Sequence, residues 1–320
     1  MKKTPPLVSI CCITYNQKAY IRQCLDGFLM QNTSFALEII VHDDASTDGT
    51  QDIIKEYAIK HPELFKVIIQ KENQYSKGVN VLNYVFNCAV GKYIAICEGD
   101  DYWKDPFKLQ KQVDFLEENK EYTMACSDAV IETNGGYVDW CRYNFDADIP
   151  IEDIILNGGL FVQTASLVFR SQLLDNYPLC CTQCHVGDYP LILFAALNGK
   201  IRWFVEKQVV YRFLRANSWT ATNDSTPLTN RINGWRSEID MLSGLNTLSG
   251  FKYKSTFHKR QANYIYDILR RNLNKCCIIL REFDDIKPMY SLPQRIGITL
   301  MKYHIYKPLA DIIYKFRRII

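Results

Sequence analysis

Residues 91–103 read GKYIAICEGDDYW, an apolar run that passes directly into a cluster of acids. The run 93–97 is short and continuous, which is typical of a strand buried in a sheet. Glu98, Asp100 and Asp101 follow where that strand ends. Carboxylates grouped directly after a buried strand raise the question of what they bind. The residues that follow the other predicted strands help to answer it.

The segments before this stretch alternate between strand and helix patterns. Strands are predicted over 7–13, 38–41, 65–70 and 93–97, and helices over 19–31, 46–60 and 79–89. This alternation is typical of an α/β protein with a Rossmann-like, mostly parallel central sheet and helices on both faces. Ligands of such sheets bind beyond the carboxyl ends of the strands.

Three clusters of polar residues follow strands of the predicted sheet. They are Thr14, Tyr15 and Asn16 after the first strand, His42, Asp43 and Asp44 after the second, and Glu98, Asp100 and Asp101 after the fourth. Parallel strands end at the same edge of a sheet, so the clusters are expected to converge on one site. The alternative is that each strand end is polar only because its loop reaches water.

The acids at 98–101 suit a hard divalent cation. Mg²⁺ and Mn²⁺ prefer oxygen ligands and commonly take one or two carboxylates, leaving other positions to water and substrate phosphates. The sequence contains neither GxGxxG nor GxxxxGK(S/T), the glycine-rich motifs of dinucleotide dehydrogenases and P-loop kinases. We therefore expect Mn²⁺ or Mg²⁺ to hold the phosphates of a ligand at this site.

Four segments together resemble a known family. They are ITYN at 13–16, DDASTDGT at 43–50, GKYIAICEGDDYW at 91–103 and GDYPL at 187–191. In this order and at these separations they resemble the inverting nucleotide-sugar glycosyltransferases of family 2, with the GT-A fold, of the bacterial polysaccharide-synthesis type. The resemblance covers residues 6–220. It implies a nucleotide-sugar donor, with UDP favoured, and a saccharide or lipid-linked saccharide acceptor.

The resemblance also implies roles on the nucleoside side of the donor. Thr14, Tyr15 and Asn16 lie where the family binds the nucleoside. Asp44, or its neighbour Asp43, would accept a hydrogen bond from the base. These five residues are therefore expected to bind the nucleotide sugar.

On the phosphate side, Asp100 matches the metal ligand of the family's DxD motif, and Asp101 would share its work. Glu98 stands where the family has the first acid of that motif, giving ExD, and is expected to contact the sugar or the metal. Arg212 or Arg215 would stabilise the leaving diphosphate.

The GDYPL segment looks like the acid on the acceptor side of the family, which makes Asp188 the expected catalytic base. An acceptor hydroxyl must lose a proton as it attacks the sugar, and a positioned carboxylate can take that proton. The structural alternative is that Asp188 caps the helix that follows it. Thr164 and Ser166 are interpreted as hydroxyls at the edge of the core, on a strand.

Two further segments resemble known motifs. Tyr211–Trp219 resembles the YRxH segment of the family, but Leu214 occupies the histidine position and cannot bind a metal or phosphate. Residues 181–185 read CTQCH, the pattern of haem attachment, and Cys180 adds a candidate zinc ligand. We interpret this segment as a loop, because no second CxxC pair exists to complete a zinc site.

Charge divides the chain into two parts. The formal net charge is +3, yet residues 1–225 carry 21 Lys/Arg and 28 Asp/Glu whereas residues 226–320 carry 17 and 7. We predict a catalytic domain over 1–225 and a helical, basic region over 226–320. In that region, 263–273 and Leu309–Ile320 repeat apolar residues at helical spacing.

The basic region suggests an anionic partner. Leu309–Ile320 combines an apolar face with Lys315, Arg317 and Arg318, a pattern of helices that lie in a membrane interface. Packing against the catalytic domain is the alternative. We expect a cytoplasmic protein with reduced cysteines, no transmembrane helix and no nucleic-acid partner, in peripheral contact with the cytoplasmic face of the inner membrane.

Two other functions compete with glycosyl transfer. A sugar-phosphate nucleotidyltransferase uses a similar sheet, but it normally needs an early basic, glycine-rich signature that strand one lacks. A catalytically silent module that has kept a nucleotide pocket is compatible with Glu98 and Leu214 at their unusual positions.

Overall fold

The structure is a computed structural model and describes residues 5–133, 135–213, 227–303 and 306. The chain divides into two compact units, Met1–Ser225 and Thr226–Ile320. The first unit contains a sheet flanked by helices, and the second unit is helical.

One sheet organises the first unit. Its strands, within the described residues, are β1 (Val8–Thr14), β2 (Leu37–Asp43), β3 (Phe65–Ile69), β4 (Tyr93–Glu98), β5 (Tyr102–Trp103), β6 (Tyr122–Thr133), β7 (Gly136–Trp140), β8 (Ala147–Asp148), β9 (Val168–Arg170) and β10 (Lys200–Arg212). The helices are α1 (Ile21–Leu29), α2 (Thr50–Lys60), α3 (Leu82–Phe86), α4 (Lys108–Glu118), α5 (Ile151–Asn157), α6 (Leu179–Thr182) and α7 (Asp188–Asn198).

The first half of the sheet is parallel. The strand order is β3-β2-β1-β4-β9-β6-β10-β5, and β1 pairs in parallel with both β2 and β4. Because β2 and β4 lie on opposite sides of β1, the direction of winding changes there, and a crevice opens beyond the strand ends at such a point. The predicted α/β class is confirmed.

The second half of the sheet is mixed. Strand β9 is antiparallel to both β4 and β6, whereas β10 is parallel to β6 and antiparallel to β5. The strand predicted around Thr164 and Ser166 is present only as β9, and its antiparallel place between β4 and β6 was not predicted, because three residues carry no signal for their partners.

Register brings the predicted polar clusters to one edge. Thr14 lies opposite Asp43 in the β1–β2 pair, and Ile13 lies opposite Glu98 in the β1–β4 pair. All three strands are buried along almost their whole length. The ends of β1, β2 and β4 therefore meet at the same level of the sheet.

All three helices predicted in the first unit are shorter than expected, and the one predicted over 19–31 spans Ile21–Leu29. The helix predicted over 46–60 begins at Thr50, because the Asp48 side chain accepts hydrogen bonds from the backbone amides of Lys18 (2.9 Å) and Thr50 (3.0 Å) and so belongs to a loop. The helix predicted over 79–89 is limited to Leu82–Phe86.

Trp103 anchors the chain directly behind the acidic cluster. Its indole packs edge-on against Phe28 with centroids 4.8 Å apart, and its Nε1 donates to the Ala165 carbonyl at 2.8 Å. A Cβ at Gly27 would lie 3.0 Å from the Trp103 carbonyl oxygen, so α1 packs tightly on this strand. Truncating such a buried tryptophan typically costs about 3–5 kcal/mol.

The cysteines of the first unit mostly fill small spaces in its core. Cys11, Cys12, Cys24 and Cys97 are fully buried, and all twelve cysteines of the chain are free thiols. Cysteine in this setting packs as a small apolar side chain.

The second unit contains α8 (Leu228–Leu248), α9 (Lys254–Arg271), α10 (Cys276–Glu282) and α11 (Leu292–Lys302) in its described part. Ile265, Leu269, Ile279 and Phe283 are fully buried in its core. The helix predicted over 263–273 lies largely within α9, whereas Leu309–Ile320 lies outside the described residues. Among the described helices, none combines the length and apolar character needed to cross a membrane.

Candidate active site

A glycine lets β1 and β4 end side by side. The Gly99 amide donates to the Ile13 carbonyl at 2.9 Å. A Cβ at Gly99 would lie 2.7 Å from Oγ1 of Thr14, closer than side-chain carbons approach other atoms. The ExD segment therefore needs a residue without a side chain at its centre.

The acids after β4 crowd one another. Asp101 is 1% exposed, and its Oδ1 accepts a hydrogen bond from the Arg212 backbone amide at 2.9 Å. Its Oδ2 is buried and has no hydrogen-bond partner among the described residues. Burial, Asp100 and Glu98 raise the pKa of Asp101 well above its usual range.

Glu98 connects this cluster to the acceptor side. Burial, followed by the charges of Asp100 and Asp188, raises the pKa of Glu98 to about 8. The Ile96 amide of β4 donates to the Leu167 carbonyl at 3.3 Å, and the Thr164 hydroxyl in the turn before Leu167 lies 3.4 Å from Oδ2 of Asp188, so this turn connects β4 to Asp188. The structure thus brings together the ExD acids and the predicted base.

The Arg212 guanidinium is bound by protein groups. It donates to Oε2 of Glu132 (3.0 Å), to the Asp100 carbonyl (2.6 Å) and to Oε1 of Gln23. It also lies 4.6 Å from the centroid of the Tyr102 ring. Arg212 therefore positions the acidic loop, and a phosphate contact from its side chain stays a prediction.

The acids after β2 are held differently. Asp44 accepts backbone amide hydrogens from Gln74 (2.7 Å) and Tyr75 (3.0 Å), one on each carboxylate oxygen. The Oδ1 atom of Asp43 accepts from the Ser46 amide (2.9 Å) and from Nε2 of Gln51 (2.8 Å). Both carboxylates thus fix the loops that surround them.

The residues after β1 link two of these loops. Thr14 is buried and its hydroxyl bonds Oε1 of Gln17 at 2.6 Å, whereas Tyr15 is 48% exposed. Asn16 adopts a left-handed φ of 51°, and its side chain accepts from the Thr47 amide at 2.8 Å. Asn16 therefore joins the loop after β1 to the loop after β2, and Tyr15 remains accessible to a ligand.

His42 lies beneath the loop that follows β2. Its ring stacks on Tyr84 with centroids 4.9 Å apart, and its Nε2 lies 3.1 Å from Nε2 of Gln70. Burial lowers the pKa of His42, which favours the neutral imidazole. His42 packs there as a neutral aromatic side chain.

Asp188 is the first residue of α7. Its Oδ1 accepts from the Tyr189 amide at 2.7 Å, and the Thr164 hydroxyl approaches its Oδ2 at 3.4 Å. Burial raises the pKa of Asp188. The N-cap of α7 is Gly187, so Asp188 is not the cap that the structural alternative predicted, and its carboxylate accepts only the next amide within the first turn.

Thr164 and Ser166 lie in a 3-10 turn, so their interpretation as strand residues was wrong. Ser166 donates to the Gln163 carbonyl at 2.7 Å within that turn. The turn directs the Thr164 hydroxyl toward Asp188. Local hydrogen bonding of hydroxyls to the backbone favours turns over strands.

Lys108 is a residue near the site that sequence reasoning missed. It is fully buried, its Nζ lies 4.5 Å from the centroid of the Trp103 ring, and that atom has no hydrogen-bond partner in the described part of the chain. Burial lowers its pKa to about 7. No sequence signal identifies it, because lysine on a surface helix ordinarily faces water.

The acidic loop fits a divalent cation that shares its coordination with a ligand. Within the described residues, no three His, Cys, Asp or Glu side chains meet closely enough to hold a metal by themselves. Mg²⁺ or Mn²⁺ bound to a diphosphate needs only one or two carboxylates. The buried Oδ2 of Asp101, beside Asp100, has the chemistry of such a ligand.

The CTQCH segment was interpreted as a loop, but its first two residues belong to α6, and among the described residues no three His, Cys, Asp or Glu side chains lie close enough there to hold a metal. Cys181 and Cys184 are buried, and burial lowers the pKa of His185 to about 4. Leu214 and Arg215 lie outside the described residues, so their predicted contacts are not located.

Two curated proteins are similar to this chain in sequence. An uncharacterised protein of Mycobacterium tuberculosis, Rv1520, is 38% identical over 208 residues, which is 64% of this chain and 58% of that protein. The Escherichia coli protein named UDP-Glc:alpha-D-GlcNAc-diphosphoundecaprenol beta-1,3-glucosyltransferase WfaP is 38% identical over 117 residues, which is 36% of this chain and 43% of WfaP. The chain therefore spans about half the length of these relatives.

Solved structures share the fold. Staphylococcus aureus TarS 1–349 in complex with UDP-GlcNAc matches with a TM-score of 0.66 and 16% identity, over 97% of this chain and 91% of that one. The mannosyltransferase PcManGT of Pyrobaculum calidifontis, in complex with GDP-Man and Mn²⁺, matches with a TM-score of 0.52 and 17% identity over 97% and 88%. At these identities the likeness concerns the fold, which is the GT-A fold.

The sequence also matches a family model. The model described as glycosyl transferase family 2 matches residues 9–171, which is just over half of the chain and includes the ends of β1, β2 and β4. This chain belongs to glycosyl transferase family 2.

Proposed function

We propose that this protein transfers a sugar from a UDP-sugar to an acceptor hydroxyl, with inversion, in the synthesis of a cell-surface polysaccharide or glycolipid. The observation that carries the proposal is the crowded acids at Glu98–Asp101, directly after β4, together with the Asp188 carboxylate, which the turn at Thr164–Ser166 connects to β4. The name of WfaP and the UDP-GlcNAc bound to TarS favour UDP over other nucleotides.

The nucleoside would bind at the ends of β1 and β2. Tyr15 is exposed there, Thr14 and Asn16 shape the loop, and Asp44 is held rigidly by two amides. A carboxylate oxygen can accept more than one hydrogen bond, so Asp44 retains capacity for a base N–H, with Asp43 fixing the loop beside it.

Asp100 and Asp101 are the residues that would hold Mn²⁺ or Mg²⁺, with Glu98 beside them. When bound, the ion supplies positive charge that offsets the negative charge of the diphosphate. Arg212 serves this arrangement indirectly, because its side chain fixes the Asp100 carbonyl and its amide fixes Asp101.

Asp188 would act as the general base. The acceptor oxygen forms a bond to the anomeric carbon while the bond from that carbon to the diphosphate oxygen breaks, and the electron pair leaves with the diphosphate. The acceptor proton passes to the Asp188 carboxylate. A raised pKa strengthens a carboxylate as a base near neutral pH, and Thr164 orients it.

The acceptor is proposed to be a saccharide or a lipid-linked saccharide. The name of WfaP includes a diphosphoundecaprenol acceptor, which favours the lipid-linked class. An enzyme using such an acceptor would work at the cytoplasmic face of the membrane, where the basic segment Leu309–Ile320 can contact anionic lipid.

The test is a donor screen with purified protein, Mn²⁺, a panel of nucleotide sugars and saccharide acceptors, reading nucleoside diphosphate release. Asp100→Ala is expected to abolish release from the preferred donor. Asp114→Ala is the matched control, because Asp114 is an exposed acid on α4. Nucleotide binding without turnover on any donor would favour a silent module, and pyrophosphate release from a nucleoside triphosphate would favour a nucleotidyltransferase.

A further inference from the structure

Helix α11 has a buried face that fixes its orientation in the second unit. Gln294, Gly297, Ile298 and Met301 are buried along one side of the helix. A Cβ at Gly297 would lie 3.0 Å from Cζ of Tyr266, so this side packs directly on α9. The opposite side therefore points away from the core of its unit.

That outer face is apolar. Leu292 is 72% exposed, Ile296 is 55% exposed and Tyr303, directly after the helix, is 72% exposed. Successive residues of a helix are rotated by about 100°, so positions four and eleven apart lie on one side. These three side chains, called here the α11 stripe, form a line of apolar surface in contact with water.

Cations lie beside the α11 stripe. Arg295 and Lys302 are exposed, and because they are seven residues apart they lie on one flank of the stripe. The helix sequence LPQRIGITLMK contains no acid. Residues 226–320 as a whole carry 17 Lys/Arg against 7 Asp/Glu, so this part of the chain has a net positive charge.

We propose that the α11 stripe docks the protein on an anionic lipid bilayer. Leu292 and Ile296 would enter the boundary between headgroups and acyl chains, Tyr303 would lie at headgroup level, and Arg295 and Lys302 would meet anionic headgroups. This goes beyond the proposed function, because it concerns neither the donor site nor the segment Leu309–Ile320.

Charge favours a bilayer over a second copy of the chain. A symmetric dimer through the α11 stripe would bring Arg295 and Lys302 of one copy close to the same cations of the other, and like charges in an interface cost affinity. The stripe is also three side chains long, whereas a stable interface covers about 800 Å² on each partner. An anionic bilayer offers negative headgroups to the cations and an apolar interior to the apolar side chains.

The test uses the full chain and vesicles that contain equal parts of phosphatidylglycerol and phosphatidylcholine, with co-sedimentation as the readout. The variant Leu292→Ser/Ile296→Ser/Tyr303→Ser is expected to lower the partition coefficient at least about tenfold. The matched control is Ile59→Ser/Val90→Ser/Leu179→Ser, which alters side chains that are 80%, 64% and 69% exposed in the first unit. The control is expected to sediment like the unaltered chain.

A second variant tests the cations. Arg295→Gln/Lys302→Gln is expected to reduce the preference for anionic over pure phosphatidylcholine vesicles severalfold, and added salt should have the same effect. Circular dichroism and UDP binding, unchanged in both variants, check that the chain still folds.

Three results would overturn the proposal. The unaltered chain could fail to sediment with anionic vesicles, or the serine variant of the α11 stripe could sediment as well as the control. Sedimentation equilibrium could instead reveal a dimer that the serine variant loses, without vesicle binding, and the stripe would then belong to a second copy of the chain.

Discussion

The acids after β2 and the acids after β4 lie at the same edge of one sheet but have different surroundings. Asp44 receives one backbone amide on each oxygen, whereas Asp43 receives two donors on Oδ1 and its buried Oδ2 has no partner among the described residues. Asp101 receives one amide, its second oxygen has no partner in the described structure, and Asp100 and Glu98 crowd it.

The number of hydrogen-bond donors and the crowding by neighbouring carboxylates together explain the difference. A carboxylate that accepts backbone amides stabilises the loop that provides them. A buried carboxylate beside other carboxylates is unfavourable until a proton or a cation compensates it. The same residue type therefore stabilises loops after β2, whereas after β4 it forms the crowded cluster to which the proposed function assigns the cation.

The largest effect is expected at Asp188, which faces the crowded cluster. Asp188→Asn keeps the hydrogen bond from the Tyr189 amide but cannot accept a proton, so kcat should fall about 10²–10⁴-fold. The dissociation constant for UDP, measured by calorimetry, should stay unchanged. If kcat survives the substitution, Asp188 serves only the N-terminus of its helix.

The second-largest effect is expected on the affinity for Mn²⁺. Asp101→Asn removes a carboxylate from the crowded cluster, and Mn²⁺ affinity in the presence of UDP should fall about a hundredfold or more. Electron paramagnetic resonance of free Mn²⁺ measures this directly. Asp114→Asn on the exposed face of α4 is the control, and an equal loss there would show that general surface charge attracts the ion.

The third effect concerns pH. The pKa of Glu98 is about 8 in the folded chain against 4.5 ordinarily, so its contribution to stability is fully present below pH 4.5 and is lost as the pH rises through 8. In chelator, the free energy of unfolding should decrease by about 2–4 kcal/mol across this window. Urea unfolding of Glu98→Gln should give a flatter pH profile, and an unchanged profile would contradict the assignment.

The fourth prediction compares how much Asp44, after β2, and Asp101, after β4, contribute to the free energy of unfolding. Asp44→Asn replaces one acceptor oxygen with an amide nitrogen facing a backbone N–H, which should cost about 1–3 kcal/mol. Asp101→Asn in chelator should cost less, because it removes a crowded carboxylate. Denaturant unfolding of both variants measures the difference, and equal losses would remove the distinction between the pairs.

The smallest effect lies in the loop after β2. Ala45 has a left-handed φ of 66°, a conformation that glycine adopts more easily. Ala45→Gly should therefore stabilise the chain by about 0.5 kcal/mol after the entropy cost of glycine. Ala58→Gly in α2 is the control and should destabilise, as seen in thermal unfolding midpoints.

Much of the parallel half of the sheet could be predicted from the sequence. Its strands are continuous apolar runs, and polar residues follow each run directly. Both the strands and their ends can therefore be recognised in the sequence. The meeting of Thr14, Asp43 and Glu98 then follows from parallel pairing.

The remainder depends on contacts between residues far apart in the chain. The Arg212 guanidinium donates hydrogen bonds to Gln23, Asp100 and Glu132, and no local sequence pattern predicts these contacts. The burial of Lys108 likewise arises from its packing on Trp103, and the Ala165 carbonyl of the turn at Thr164–Ser166 accepts a hydrogen bond from the same tryptophan.

The most direct test of the cation site is a calorimetric titration of UDP into the unaltered protein, once with Mn²⁺ and once with a chelator. The arrangement of Glu98, Asp100 and Asp101 predicts that affinity with Mn²⁺ exceeds affinity in chelator by at least about tenfold. It also predicts proton release on binding, visible as a dependence of the heat on the buffer. Equal affinity and equal heat in the two titrations would contradict a diphosphate held through a cation on these acids.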